Sequence, residues 1–290
     1  MARSPSMNAQ SEKPGTGEGH GHGLSECSHT LPPVGTLQWE RAGGPPLSFG
    51  QKLSLLGGAG AVVLMDLGPR LKWLLSRWGM LTAGKLPEKI DLSAWAPPDT
   101  RAARDAENYL REVSSGPMIN HSLRTYYFSG IMYSLSGVRL SIDREALYVA
   151  AVLHDVGLFQ ASPPANEHCF SVGSAREARR IARDAGWDEA RQDRIAVAIT
   201  TNLNPFVPLD EFGPEAHFMS VGGLVEVIAQ EWNVHPANVT ELLKRFPREG
   251  FAAETVRRVR HEAKQNPGSR FACLNPMFTT MVRLTTFSTE

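Results

Sequence analysis

Residues 141–157 read SIDREALYVAAVLHDVG. Leu147, Ala151 and His154 fall at i, i+4 and i+7, on one face of a helix. The apolar run ends in His154 and Asp155, and Gly157 follows. The stretch therefore reads as a helix with two polar groups at its C-terminal end. An aspartate there meets the partial negative charge of the helix terminus, at a cost of about 0.3–1 kcal/mol. An imidazole on the apolar face costs free energy unless it has a partner. A divalent cation would remove both problems, because imidazole nitrogen and carboxylate oxygen are suitable ligands. An arginine would compensate Asp155 as well, and a His-Asp pair taken alone is more often the end of a helix.

Outward from this stretch the pattern stays helical. WAPPDTRAARDAENYLREVSSGP starts a helix at a cap on Asp99 or Thr100, and Ser114, Ser115, Gly116 and Pro117 end it. NHSLRTYYFSGIMYSLSG follows, with Asn120 as a candidate cap and Gly137 near its end. SVGSAREARRIARDAGW is amphipathic and stops near Gly186. DEARQDRIAVAITTN, EAHFMSVGGLVEVIAQEW, NVTELLKRFPREG and FAAETVRRVRHEAKQNPG complete the set, with Pro267 and Gly268 as the stop. Strand signals are scarce, and no repeat, G-x-G-x-x-G or P-loop pattern is present. The expected fold is all-α, a helical bundle over residues 95–272. A helical extension at 47–94 and a disordered tail at 1–46 precede it, and residues 273–290 read as a C-terminal tail.

Of the 290 residues, 42% are hydrophobic and 21% charged, an ordinary globular composition. Lysine plus arginine number 30 and aspartate plus glutamate 30, so no dominant basic surface for nucleic acid is expected. Three cysteines without CxxC spacing fit a reducing compartment, and no secretory signal is visible, so the expected location is cytoplasmic. His20 and His22 in the Gly-, Ser- and Pro-rich N-terminus read as part of a flexible tail. LSLLGGAGAVVLMDLG, residues 53–68, is interrupted by Asp66 and is too short to span a bilayer. With its continuation PRLKWLLSRWGML it forms an amphipathic pattern, expected to dock on the main domain. Peripheral membrane contact is the minor alternative.

Two further residues converge with the helix end. His121 and Arg124, one turn apart in NHSLRTYY, lie in the preceding helix. His121, His154 and Asp155 could face one ion from the ends of two neighbouring helices. Arg124 could bind a substrate group or pair with a carboxylate.

PPDTRAARDAENYLREVSSGPMINHSLRTYYF, YVAAVLHDVGL and FPREGF resemble the HD-domain superfamily of metal-dependent hydrolases, in the cyanamide hydratase-like branch. The resemblance runs from about residue 97 to 272. It implies an all-α bundle around one divalent metal ion, with His121, His154 and Asp155 as ligands. It also implies a water activated for attack on a phosphoester or on the nitrile carbon of cyanamide. The physical basis is Lewis-acid polarisation and a water pKa lowered from 15.7 toward about 7 by zinc. The sequence departs from the family pattern at three positions. Asn202 stands where a histidine is expected, Glu226 where the last ligand aspartate is expected, and Ser171 where a glutamate is expected. Glu226 could still be a ligand, with one methylene more reach. Asn202 could hydrogen-bond a water or substrate. His168 reads equally as a pocket residue or a surface loop residue. His217 reads as surface or packing, and His29, His235 and His261 as surface.

The expected reading is a metal-dependent hydrolase or hydratase using His121, His154, Asp155 and Glu226, with Asp155 and Arg124 as catalytic residues. A degenerate HD domain with little turnover and a non-enzymatic interaction module are the alternatives. Only Arg124 lies near the proposed ligands, and IAVAITTNLNPFVPL at 195–209 carries no charge, so a small nitrile or other C–N compound is favoured over a phosphoester. TNLNPFVPL reads as a lid, because Pro205 and Pro208 oppose a helix. Zinc, iron and manganese all suit the ligand set. A small-molecule substrate is the expected partner, with no nucleic acid or stable membrane insertion, and homo-oligomerisation is left open.

Overall fold

The computed structural model describes residues 31–82, 84–160, 164–285 and 287, and every regular element among them is helical. In chain order the α-helices are α1 (Leu37–Arg41), α2 (Phe49–Arg77), α3 (Arg101–Val113), α4 (Gly116–Ser136), α5 (Arg144–Leu153), α6 (Phe170–Asp184), α7 (Glu189–Thr201), α8 (Leu209–Val227), α9 (Pro236–Arg245), α10 (Phe251–Gln265) and α11 (Arg270–Leu284). One-turn segments occur at Leu92–Trp95, Val156–Phe159 and Glu231–Asn233.

The helix that decides the fold is also its centre. Asp143 caps α5 by accepting from the Ala146 N–H, and every residue from Ala146 to Leu153 is buried. The sequence pattern points to one apolar face, but α3, α4, α6, α7 and α8 all pack on α5, so its whole circumference is covered. Such a helix tolerates little change: Leu147→Ala would cost about 2–5 kcal/mol through lost burial and the cavity left behind.

The α4–α8 contact positions the site. Gly222 of α8 sits against Ser129 of α4, and a Cβ at Gly222 would fall 2.3 Å from Ser129 Oγ and 2.4 Å from its backbone nitrogen. Only glycine allows this approach, and it brings the next turn of α8, with Glu226, against His121 and Arg124.

Helix α4 starts earlier than the sequence reading, at Gly116 with Pro117 in its first turn. Proline is well placed there, since the first N–H groups of a helix have no partner to lose. Asn120 is therefore inside the helix, where its amide donates to the Pro247 carbonyl at 3.0 Å.

The ends of the bundle also differ from expectation. Residues 31–46, assigned to the tail, hold α1 and a buried Trp39 under the guanidinium of Arg270. The rest of that tail, with His20, His22 and His29, lies outside the described residues. The boundary at 272 falls inside α11, which Ser269 caps and which packs on α10 and α2. Pro267 and Gly268 end one helix, and the apolar residues beyond them, Leu274, Phe278 and Val282, are spaced to face a core.

Helix α2 docks along a narrow line. Ser48 and Gln51 form a capping box at its start. Gly58 approaches Pro205 so closely that a Cβ would lie 2.9 Å from its ring. Asp66, the charge that interrupts the apolar run, is buried. It accepts from Arg70 Nε and Gln230 Nε2, both at 2.8 Å, while Arg70 also donates to the Ile228 carbonyl. Leu53, Leu64, Met65, Leu67, Leu71 and Trp78 remain exposed on the other side. No helix among the described residues is long and apolar enough to cross a membrane.

Candidate metal centre

His121 comes from the second turn of α4, His154 from the C-terminus of α5, and Asp155 from the residue after it. Their donor atoms converge. His121 Nε2 lies 3.2 Å from His154 Nε2 and 3.4 Å from Asp155 Oδ2, and His154 Nε2 lies 3.3 Å from the same oxygen. Three ligand atoms held about 2.1 Å from one ion lie roughly 3.4 Å apart at tetrahedral angles and about 3.0 Å apart at right angles. The three donors have the spacing of one coordination sphere, and they form a buried group able to hold a metal ion.

The orientation of both rings is fixed from behind. His154 Nδ1–H donates to the Ala151 carbonyl at 2.7 Å, and His121 Nδ1–H donates to Glu226 Oε2 at 2.6 Å. With both Nδ1 atoms used as donors, both Nε2 atoms present lone pairs to the same point as the Asp155 carboxylate. A cation must stand there, or a proton must be taken up. Burial pushes the His121 pKa down, but the Glu226 and Asp155 carboxylates outweigh it and raise the value to about 9. Burial raises the Asp155 carboxyl, yet His154 and His121 hold it well below the usual carboxylate range. Glu226 is lowered in the same way by His121 and Arg124.

Glu226 thus stands behind His121, a candidate ligand, whereas the sequence reading made Glu226 a ligand itself. Its Oε1 accepts from Arg124 Nε at 2.9 Å and Nη2 at 2.5 Å. Its Oε2 is taken by His121, so both oxygens face away from the donor cluster. Arg124 is fully buried, and its Nη1 donates to the carbonyls of Phe246 and Pro247, both at 2.9 Å. It holds Glu226 and does not line the cavity, so of its two readings the structure takes the carboxylate pair over the substrate contact. The FPREGF stretch completes this support. Arg248 Nε lies 3.5 Å from Glu226 Oε1, and Phe251 stacks on His121 with ring centroids 4.8 Å apart.

The donors border a cavity of about 140 Å³. Asn202, Asn204, Ser220 and Thr255 contribute polar groups, and no lysine or arginine lines it. Asn202, Leu203, Asn204 and Pro205 come from the non-helical link between α7 and α8, as the two prolines require. Three arginines of α6 and α7 are engaged elsewhere: Arg179 pairs with Glu40 and Asp193, Arg180 with Glu177, and Arg194 with Asp143.

His168 does not line the cavity. Its loop is tied outward by the bond from the His168 N–H to the Gly43 carbonyl at 3.0 Å. Ser171 is buried and accepts from Arg270 Nη2 at 2.6 Å. His217 donates to the Val207 carbonyl at 2.7 Å, a packing role.

FPREGF includes Phe251, but its stacking on His121 was not legible there, and neither were Arg270 or the walls that α2 and α11 contribute. The spacing of Leu274, Phe278 and Val282 was the available signal for α11.

Residues 118–221, which contain all three donors, match the HD domain family. The chain is also 22% identical over 199 residues to the cyanamide hydratases DDI2 and DDI3 of Saccharomyces cerevisiae, a span of 66% of this chain and 85% of each relative.

Proposed function

We propose that this chain, which carries an HD domain and is similar to cyanamide hydratases, is a metal-dependent hydratase or hydrolase of small nitriles or related C–N compounds. The observation that carries the reading is the convergence of His121, His154 and Asp155 on one point at the edge of an uncharged cavity. The donor set suits zinc, iron or manganese. When bound, the ion supplies Lewis-acid polarisation and a nucleophile available at neutral pH.

The chain's own residues do the rest. The Ala151 carbonyl and Glu226 hold the two imidazoles in the tautomer that presents Nε2. Asn202 and Asn204 offer hydrogen bonds to the polar head of a substrate. Asp155, whose side chain keeps 13% of its surface accessible, accepts a hydrogen bond from the water and orients it as it adds to the nitrile carbon. The C–O bond forms, one water proton passes to the nitrile nitrogen, and the resulting imidic acid moves its O–H proton to the same nitrogen to give an amide, which for cyanamide is urea. A phosphoester would need cationic side chains around its oxygens, and the cavity has none. The functional unit runs from α1 to α11, wider than the 95–272 span read from the sequence.

The test is turnover by tag-free protein loaded separately with zinc, iron and manganese. Cyanamide and other nitriles should yield urea or amide, and His154→Ala should abolish it. Phosphoester hydrolysis without nitrile hydration would replace the proposal.

A further inference from the structure

Cyanamide has three heavy atoms, and the cavity beside the donors is much larger. Its far walls come from two helices outside residues 118–221. Helix α2 supplies Ala59, Val62 and Val63, and α11 supplies Leu274, Met277, Phe278 and Met281. Leu224, Val227 and Ile228, at and just beyond the end of α8, close the third side. The polar lining is confined to the donor cluster and four neutral side chains, Asn202, Asn204, Ser220 and Thr255. An apolar space of this kind is poorly hydrated, and the whole cavity, about 140 Å³, is close in size to one of about 150 Å³ that binds benzene. A substrate of three heavy atoms would leave most of these walls without contacts, whereas filling them gains burial of about 25 cal/mol per Å².

We infer that the substrate carries a compact uncharged apolar group, no larger than a benzene ring, held between α2 and α11 and joined to the small polar head that reacts at the donors. The inference rests on the proposed function for the head, and on the cavity alone for the apolar group. An aryl or branched alkyl nitrile belongs to this class.

The test is fluorine NMR titration of fluorobenzene, an inert probe of the apolar group, into wild-type protein and three variants, each before and after metal removal by chelation. Val63→Phe and Ala59→Leu fill the cavity from α2. Leu64→Phe places a phenyl ring on the exposed side of that helix. Saturable binding to the wild type is expected. It should weaken by roughly tenfold or more, about 1.4 kcal/mol, in each filling variant that folds, and hold in Leu64→Phe. No saturable binding, or equal binding in all four proteins, overturns the inference. Fluorobenzene needs no metal, so the two readings fail separately. Binding in a protein that takes up no metal sinks the proposed function and keeps the pocket. Metal uptake without fluorobenzene binding sinks the pocket alone.

Discussion

Glu226 Oε2 accepts a hydrogen bond from His121 Nδ1 at 2.6 Å, so the carboxylate stands behind the imidazole and makes its far nitrogen a better donor. Its other oxygen neutralises Arg124, which is fully buried. Replacing Glu226 by Gln removes the negative charge set between Arg124 and His121 and turns an amide NH₂ toward one of two donors. Metal affinity should fall about 10–100-fold, and stability by about 3–5 kcal/mol. Chelator competition and denaturant unfolding check the two effects. Glu226→Asp, one methylene short, should weaken metal binding as well. Full affinity in both variants would mean that the second carboxylate plays no part in the site.

Gly222 sets the distance on which that bond depends. The methyl of Gly222→Ala would collide with Ser129, forcing α4 and α8 apart. A loss of about 1–3 kcal/mol is expected, with weaker metal binding, although residue 222 touches no ligand. Unchanged affinity in a destabilised variant would show that Glu226 reaches His121 without the close approach.

Asp143 anchors α5 at the end opposite His154. It caps the helix and pairs with Arg191 at 2.7 Å and 2.9 Å. Burial pushes its carboxyl up, but Arg191, the Ala146 N–H and Arg194 outweigh that and hold it below the ordinary 3.8. A lowered folded pKa means stability that is complete above 3.8 and lost as pH falls through the lower folded value. Asp143→Ala should cost about 1 kcal/mol from the cap at neutral pH. The gap to the wild type should narrow as the pH drops below 3.8, read by urea unfolding across that range. A gap independent of pH would contradict the pairing.

Arg270 is a fully buried guanidinium bound to the Thr200 carbonyl, Asn204 and Ser171, with no carboxylate in ion-pair distance among the described residues. Ser171→Asp would place a negative charge where the hydroxyl now accepts. The melting temperature should rise by about 2–4 °C, the equivalent of roughly 1 kcal/mol. A fall would show that the pocket around Ser171 has no room for the carboxylate.

What was legible in the sequence was what lies close together along it. His154 and Asp155 are neighbours at the end of one apolar run, and His121 belongs to the helix before. The role of Glu226 was not legible. A side chain 105 residues away is a ligand or a support according to how α4 and α8 pack, and no local pattern encodes which side of the imidazole it meets. Pro117 misled for a simpler reason, since proline ends a helix and also suits its first turn. His168 matched by position, but a backbone bond to Gly43 carries its loop away from the cavity.

His121, His154 and Asp155 have the spacing of one coordination sphere. Whether they share one ion is read by counting metal ions in tag-free protein by mass spectrometry, beside the His154→Ala, Asp155→Ala double variant. Close to one ion per wild-type chain and none in the variant is expected. No ion in the wild type after incubation with zinc, iron or manganese, or equal content in both proteins, would contradict it.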